Sequence, residues 1–396
     1  MRSPYITKAI VCIILLAMIV LLSGCWDKIE IDELSIVTAT AIDKHDDGQV
    51  EISLEIFIPK SMSGSSQGGG GGAESGGGQT TMVVSHKGKN MADALSKLEA
   101  ELPRRIFWGS CKVFIFGTAA AKDGIQHYLD FLLRHPQPRE RAFVFVSEGK
   151  AKKIIEQKAV IERYSAETIH KKADTGHGLT ITLQDLEKMI TDEDQGAGLP
   201  YLKLKNEQTS TGKVSKLPNI HGIAVFKNES MVGIISESTT RGLLWLRGEV
   251  EEYTVYVKPK NEQGVVSIVP VLTRVNLTPK IQGGKWKIIV NIKTEGMVVQ
   301  NNTDLDLAHK SSEKKVQQAY RQKIQQRVTA AINESQKLEA DIVHFGKEFH
   351  RKYPEQWKKV ENRWQEVFPH VQTELVIEAH IRRPGYIHKP IKTEER

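Results

Sequence analysis

Cysteine is scarce in this chain: 396 residues carry three, Cys12, Cys25 and Cys111. Cys12 lies in an apolar leader and Cys25 closes it, so a processed form keeps only Cys111 as a spare thiol. No disulfide pair is available, and the fold must be held by packing alone. Long apolar runs are also lacking after residue 24, which argues against a membrane-spanning helix in the remainder. Charge of one sign never gathers in blocks. The 55 basic and 48 acidic residues give a net charge of +7 spread along the chain, unlike the basic arms that grip nucleic acid, and no nucleic-acid partner is expected.

Catalytic motifs are missing as well. His344, Glu348 and His350 come nearest to a metal set, with His344 and Glu348 sharing one face at i, i+4, but His350 points elsewhere on a helix and no H-E-x-x-H occurs. Gly88-Lys89 lacks the glycine spacing and following hydroxyl of a phosphate loop, and no G-x-G-x-x-G follows a strand. Gly64-Ser65-Ser66-Gln67-Gly68 matches the nucleophile-elbow pattern formally. That elbow needs an apolar strand running into a helix, and both flanks here are low-complexity. No catalytic residue, metal or other cofactor is expected.

What the sequence does have begins at residue 1. Arg2 and Lys8 precede an unbroken apolar run, Ala9 to Leu22, that ends at Ser23-Gly24-Cys25 and is followed at once by Asp27, Lys28 and Glu30. This is the profile of a secretory signal peptide, too short for a comfortable span. Leu22-Ser23-Gly24-Cys25 resembles the bacterial lipobox, in which Cys25 receives the lipid and Leu22, Ser23 and Gly24 form the processing signal. Two acyl chains of palmitate type, at about 0.8 kcal/mol per buried methylene, would anchor the mature chain to a membrane without spanning it.

Residues 34–42 and 50–58 read as strands joined by an Asp46-Asp47-Gly48 turn, the second alternating Ile52, Leu54, Ile56 and Ile58 with Glu51, Ser53, Glu55 and Phe57. Residues 61–79 collapse to Gly and Ser and read as a flexible loop. Asn90 caps a helix bearing Met91, Leu95, Leu98 and Leu102 that Pro103 ends. A strand at 112–116, a helix at 119–133 and a strand at 142–146 predict a parallel strand-helix-strand unit. Arg104, Arg105, Arg134, Arg139 and Arg141 gather at the ends of these elements, where solvated loops and carboxylate pairing are favoured over a headgroup site. Cys111 opens an apolar stretch and reads as a buried thiol.

A polar, helix-prone stretch, 150–191, leads to Gly196-Ala197-Gly198-Leu199-Pro200, read as marking a nearby domain junction. A hairpin turns at Lys227-Asn228-Glu229-Ser230, and Leu243, Leu244 and Leu246 suit a short helix. Strands at 253–257, 265–276 and 286–292 suggest an antiparallel meander. From 312 to 353 one apolar face runs through Val316, Tyr320, Ile324, Val328 and Ile332, then Leu338, Ile342, Phe345 and Phe349, with a phase slip near Asn333 to Ser335. Pro354 starts another helix with Trp357, Val360, Trp364 and Phe368, and 374–381 reads as a last strand. The long stripe is assigned to packing against its own sheet.

Cys25-Trp26-Asp27-Lys28-Ile29-Glu30-Ile31, with Leu34, Ile36-Val37 and Ile42-Asp43, resembles the opening of the GerAC, or Ger(x)C, family of spore germination proteins. The likeness continues through 109–117, Arg134-His135-Pro136, Gly222 to Phe226, Asp341, Phe345-Gly346, Trp357, Trp364, Phe368 and Ile381 to Gly385. The resemblance implies an α+β fold: an elongated chain of three mixed α/β domains, mostly antiparallel sheets with a long C-terminal-domain helix, after a lipoprotein signal peptide. The expected divisions are residues 1–24, 25–155, 156–248 and 249–396. It also implies a lipid-anchored C-type subunit of a nutrient germinant receptor, on the outer face of the spore inner membrane, assembled with A-type and B-type membrane subunits and not catalytic. A lipid-anchored cell-wall hydrolase and a solute-binding lipoprotein are the alternatives.

Overall fold

A computed structural model describes residues 30–58, 80–176, 178–192, 196–208, 214–250 and 253–383, together with Tyr5. The Gly/Ser-rich stretch 61–79 lies outside the described residues. Eight strands form one sheet in the order β3-β2-β1-β5-β6-β7-β8-β9. They are β1 Leu34–Lys44, β2 Val50–Phe57, β3 Thr81–Gly88, β5 Val113–Gly117, β6 Phe143–Ser147, β7 Gly196–Gln208, β8 Val214–Lys227 and β9 Ser230–Ile235. A short β4, Arg105–Phe107, pairs in parallel with the first residues of β1. The centre, β1-β5-β6-β7, is parallel and both margins are antiparallel hairpins.

The parallel centre explains the apolar run that Cys111 opens. Helices cover both faces of such a strand, so it loses the alternation of a half-exposed one. Phe114 and Phe116 point into the main core, with helices α1 (Met91–Glu101), α2 (Thr118–Asp123) and α3 (Gln126–Arg134), while Val113 and Ile115 point into a smaller one. Helices α4 (Lys152–Ile155) and α5 (Ser165–Asp174) close that second face with Ile154, Ile155, Ala166 and Ile169. Helix α6, Leu183–Thr191, returns Leu183, Leu186 and Met189 to the main core.

Three places in the fold depart from the simple sequence pattern. The helix expected over 119–133 is two helices, broken at Gly124, whose φ of 118° few other residues adopt. The alternation of β2 does not mark a solvent face: Glu51, Ser53 and Glu55 are all buried, with Glu51 on Lys152 of α4 and Glu55 on the start of α5. Gly196 to Pro200 are buried and open β7, which extends the sheet from β6. A side chain at Gly196 would begin 2.6 Å from the backbone of Asp341, so only glycine lets the two segments meet. Strands β7 to β9, which the expected division places in residues 156–248, therefore share a sheet with β1 to β6.

Beyond helix α7, Glu237–Arg247, a second sheet forms in the order β10-β11-β12-β13. Its strands are β10 Val255–Val257, β11 Val266–Gln282, β12 Lys285–Asn301 and β13 Gln372–Arg383. The first three make the expected antiparallel meander; β13 joins β12 in parallel, across the long helical connection. Helix α8, Lys310–Lys337, lays Val316, Tyr320, Ile324, Val328 and Ile332 into the core, where Ile288, Val290 and Ile292 of β12 are also buried. The stripe thus packs within its own chain.

The helix does not run on to 353. It stops at Lys337, Glu339 and His344 take left-handed backbone angles, and α9 spans Phe345–Lys352. Short helical turns at Pro354–Trp357 and Trp364–Val367 lead to Trp364 packed on Phe349, Phe368 on Phe345, and Trp357 on Trp364. Among the described residues, no helix is long and apolar enough to cross a membrane.

Candidate functional site: the entry end of the sheet and its buried carboxylates

Cys25, Leu22, Ser23 and Gly24 lie outside the described residues. The described chain resumes at Glu30, makes one 3-10 turn over Ile31–Glu33 and enters β1 at Leu34. Leu34 pairs with Arg105 and Ala39 with Val113, so the loops leading into β4, β5 and β6 all gather at this entry end. The five expected arginines lie on these loops or at the helix ends that feed them. Arg134 donates Nε to Asp130 Oδ1 and Oδ2 at 2.8 and 2.9 Å, the carboxylate pairing expected of a solvated helix end. Arg104 and Arg105 line a shallow groove of about 460 Å³ with Glu99, Leu102, Ile106 and Gln137. Arg139 and Arg141 are exposed on the loop before β6.

The sequence reading missed the organising role of buried carboxylates. Asp43, near the far end of β1, accepts the amides of Ala151 at 2.8 Å and Lys152 at 3.0 Å and so holds the start of α4. The oxygens sit so close to Gly117 that a β-carbon there would collide with them. Glu55 on β2 accepts the amides of Ser165 and Ala166, each at 3.1 Å, and Thr38 Oγ1 donates to it at 2.7 Å, which fixes the start of α5. In the C-terminal half Asp341 does the same for α9, accepting the amides of Phe345 at 3.0 Å and Gly346 at 2.7 Å, and the indole Nε1–H of Trp364 at 2.9 Å. Asp43 and Glu55 act from far away in sequence and Asp341 from just before its helix, and each caps amides that a helix leaves unpaired.

Burial pushes the carboxyls of Asp43 and Glu55 above their ordinary values, and their amide or hydroxyl donors offset part of that rise. Glu51 goes the other way. Burial opposes ionisation there too, but His45, 2.7 Å away, and Lys152 Nζ at 3.0 Å lower its pKa overall. The carboxylates are spent on backbone amides or on cations, so none faces a cleft as a general acid or base would. Cys111 is fully buried, with Thr40 Oγ1 3.5 Å away and its thiol donating to the carbonyl of Val113. Burial pushes its pKa up to about 12, the state of an inert packing residue.

The metal reading of the C-terminal helix also meets the structure. His344 is not on a continuous helix with Glu348 but stands before α9 in a left-handed conformation, 3.4 Å from Arg247. Glu348 pairs with Arg351, and His350 stacks on Trp357. Among the described residues, no three His, Cys, Asp or Glu side chains converge as metal ligands.

The fold and this pattern of caps define a mixed α/β protein built around shared buried anchors. It resembles the crystal structure titled GerBC protein, with a TM-score of 0.53, 17% identity and coverage of 90% of this chain and all of that one. Residues 27–204 match the model of the spore germination protein N-terminal domain, and residues 221–385 that of the spore germination B3/GerAC-like C-terminal region. The chain belongs to the Ger(x)C family of spore germination proteins. Spore germination protein KC of Bacillus subtilis (strain 168) is 25% identical over 98% of both chains. Spore germination protein B3 of the same organism is 22% identical over 94% of this chain and 97% of its own. The gap between the two family matches falls at the β7–β8 hairpin, inside the first sheet. Asp341, Phe345, Gly346 and Trp364, four of the residues that carry the sequence resemblance, meet around one carboxylate.

Proposed function

We propose that this chain is a lipid-anchored C-type subunit of a nutrient germinant receptor, acylated on Cys25 at the outer face of the spore inner membrane. In this reading it acts by assembly with A-type and B-type membrane subunits and not by catalysis. The observation that carries the reading is Leu22-Ser23-Gly24-Cys25 at the end of a short apolar leader, with the first family match starting two residues later at Asp27. Kinship with spore germination proteins KC and B3 along almost the whole chain supports the role in germination. The buried carboxylates serve as helix caps, in keeping with a protein whose work is to present a fixed surface.

The test is affinity purification of the tagged, full-length chain from detergent-solubilised membranes of dormant spores. Co-purification of A-type and B-type subunits is the expected result. Recovery of the intact, acylated chain with no membrane subunit would count against the receptor assignment.

A further inference from the structure

The direction of the strands specifies which end of the protein the anchor brings to the bilayer. Five peptide steps separate Cys25 from Glu30, a reach of at most about 18 Å even when fully extended. Glu30 leads directly into β1, so the entry end of the sheet stays close to the acylated residue. Three other segments converge there. Strand β2 finishes at this end, with Ile56 opposite Val37, and β3 leaves from it, with Thr81 opposite Phe57. Thr80 Oγ1 donates to the carbonyl of Arg163 at 2.5 Å, and Tyr164 meets Phe57 edge-on, which holds the loop before α5 at the same end.

These segments carry apolar side chains where solvent would favour polar ones. Ile161 is 90% exposed, Ile31 70%, Val160 51% and Met82 42%. Arg104 and Arg105 stand beside Leu34 with no ion-pair partner among the described residues. Glu99 in the same groove, and Asp32 and Glu33 on the entry turn, are the nearby acids and temper the positive charge. The other end of β1 is unlike this one: it closes on Asp46-Asp47-Gly48, about 35 Å away along the strand.

We propose that the entry end of the first sheet, with Ile31, Met82, Val160 and Ile161 as apolar tips and Arg104 and Arg105 reaching lipid phosphates, lies on the membrane surface. This rests on the acylation of Cys25 proposed above. A bilayer fits the set better than a protein groove does, because scattered tips on separate loops can each enter the headgroup boundary while arginines extend to phosphate. The acyl chains keep this end within reach, so each tip adds to a binding already made.

The test uses the full chain, acylated in cells and reconstituted in vesicles of phosphatidylcholine and phosphatidylglycerol. A fluorophore is placed on Ile161→Cys or, in a second preparation, on Asp47→Cys. Cys25 is acylated and Cys111 buried, so the introduced thiol alone reacts. With spin-labelled lipid in the bilayer, the probe at 161 is expected to lose most of its fluorescence and the probe at 47 to keep it. An acylated preparation with the 161 probe unquenched overturns the orientation and leaves the anchor standing, even if position 161 cross-links to a membrane subunit in spores. Equal quenching at both positions overturns it as well. Absence of acyl chain on Cys25 in the same preparation defeats the anchor itself and the orientation with it.

Discussion

Trp364 donates its indole N–H to Asp341 at 2.9 Å, and both side chains are almost wholly buried. The same carboxylate takes the first amides of α9, so one residue ties the last aromatic turn to the helix before it. Asp341→Ala leaves three N–H donors unpaired in the interior and is expected to lower stability by about 3 kcal/mol or more. Trp364→Phe removes a single donor and the five-membered part of the indole, for about 2 kcal/mol. Denaturant unfolding of the mature chain measures both; a smaller loss for Asp341→Ala than for Trp364→Phe would contradict the capping role.

Phe345 is fully buried beside Phe368. Phe345→Ala is expected to cost about 3–5 kcal/mol through lost burial and the cavity left behind. Thermal unfolding without partner subunits reads it. An unchanged melting temperature would place this part of the stripe at an interface instead.

Helix α8 shows how much of this was legible. Its spacing was readable because every fourth residue or so is apolar and a 28-residue helix repeats the pattern many times. Its end was not. Past Lys337 the chain turns through Glu339, whose φ is 52°, and then brings Asp341 against Gly196, a contact between segments far apart in sequence. Glu55 was hidden for the same reason: alternation in β2 marks it as solvent-facing until a helix from residues 165–174 covers it. The leader and lipobox are read from a local, linear pattern, and their residues lie outside the described structure. The converging arginines were visible as a cluster, but their common end of the sheet follows from strand directions alone.

Glu55 also makes a pH prediction. Its folded carboxyl titrates above the ordinary value of 4.5, so between these two pKa values the folded state binds more protons than the unfolded one. Its contribution therefore favours folding at low pH and is lost as pH rises through that window. Glu55→Gln removes the charge and keeps one acceptor oxygen, for one of the two helix amides, since Ser165 and Ala166 donate to different carboxylate oxygens. Melting temperature should then fall less steeply with rising pH above 4.5 than in the unaltered chain, and an identical slope would show that Glu55 does not titrate there.

Cys111, with its thiol pushed up to about 12 by burial, is expected to resist thiol reagents at neutral pH until the protein unfolds. Mass spectrometry of the native and denatured chain compares the two. Rapid native labelling would mean that the strand carrying it opens far below the global unfolding threshold.

The most direct test of the account is fatty-acid labelling of the chain and of Cys25→Ala in a spore-forming host, read with the germination response of the resulting spores. The account predicts label on the unaltered chain, none on Cys25→Ala, and a loss of nutrient-triggered germination in the variant. Full incorporation of label into Cys25→Ala would contradict it.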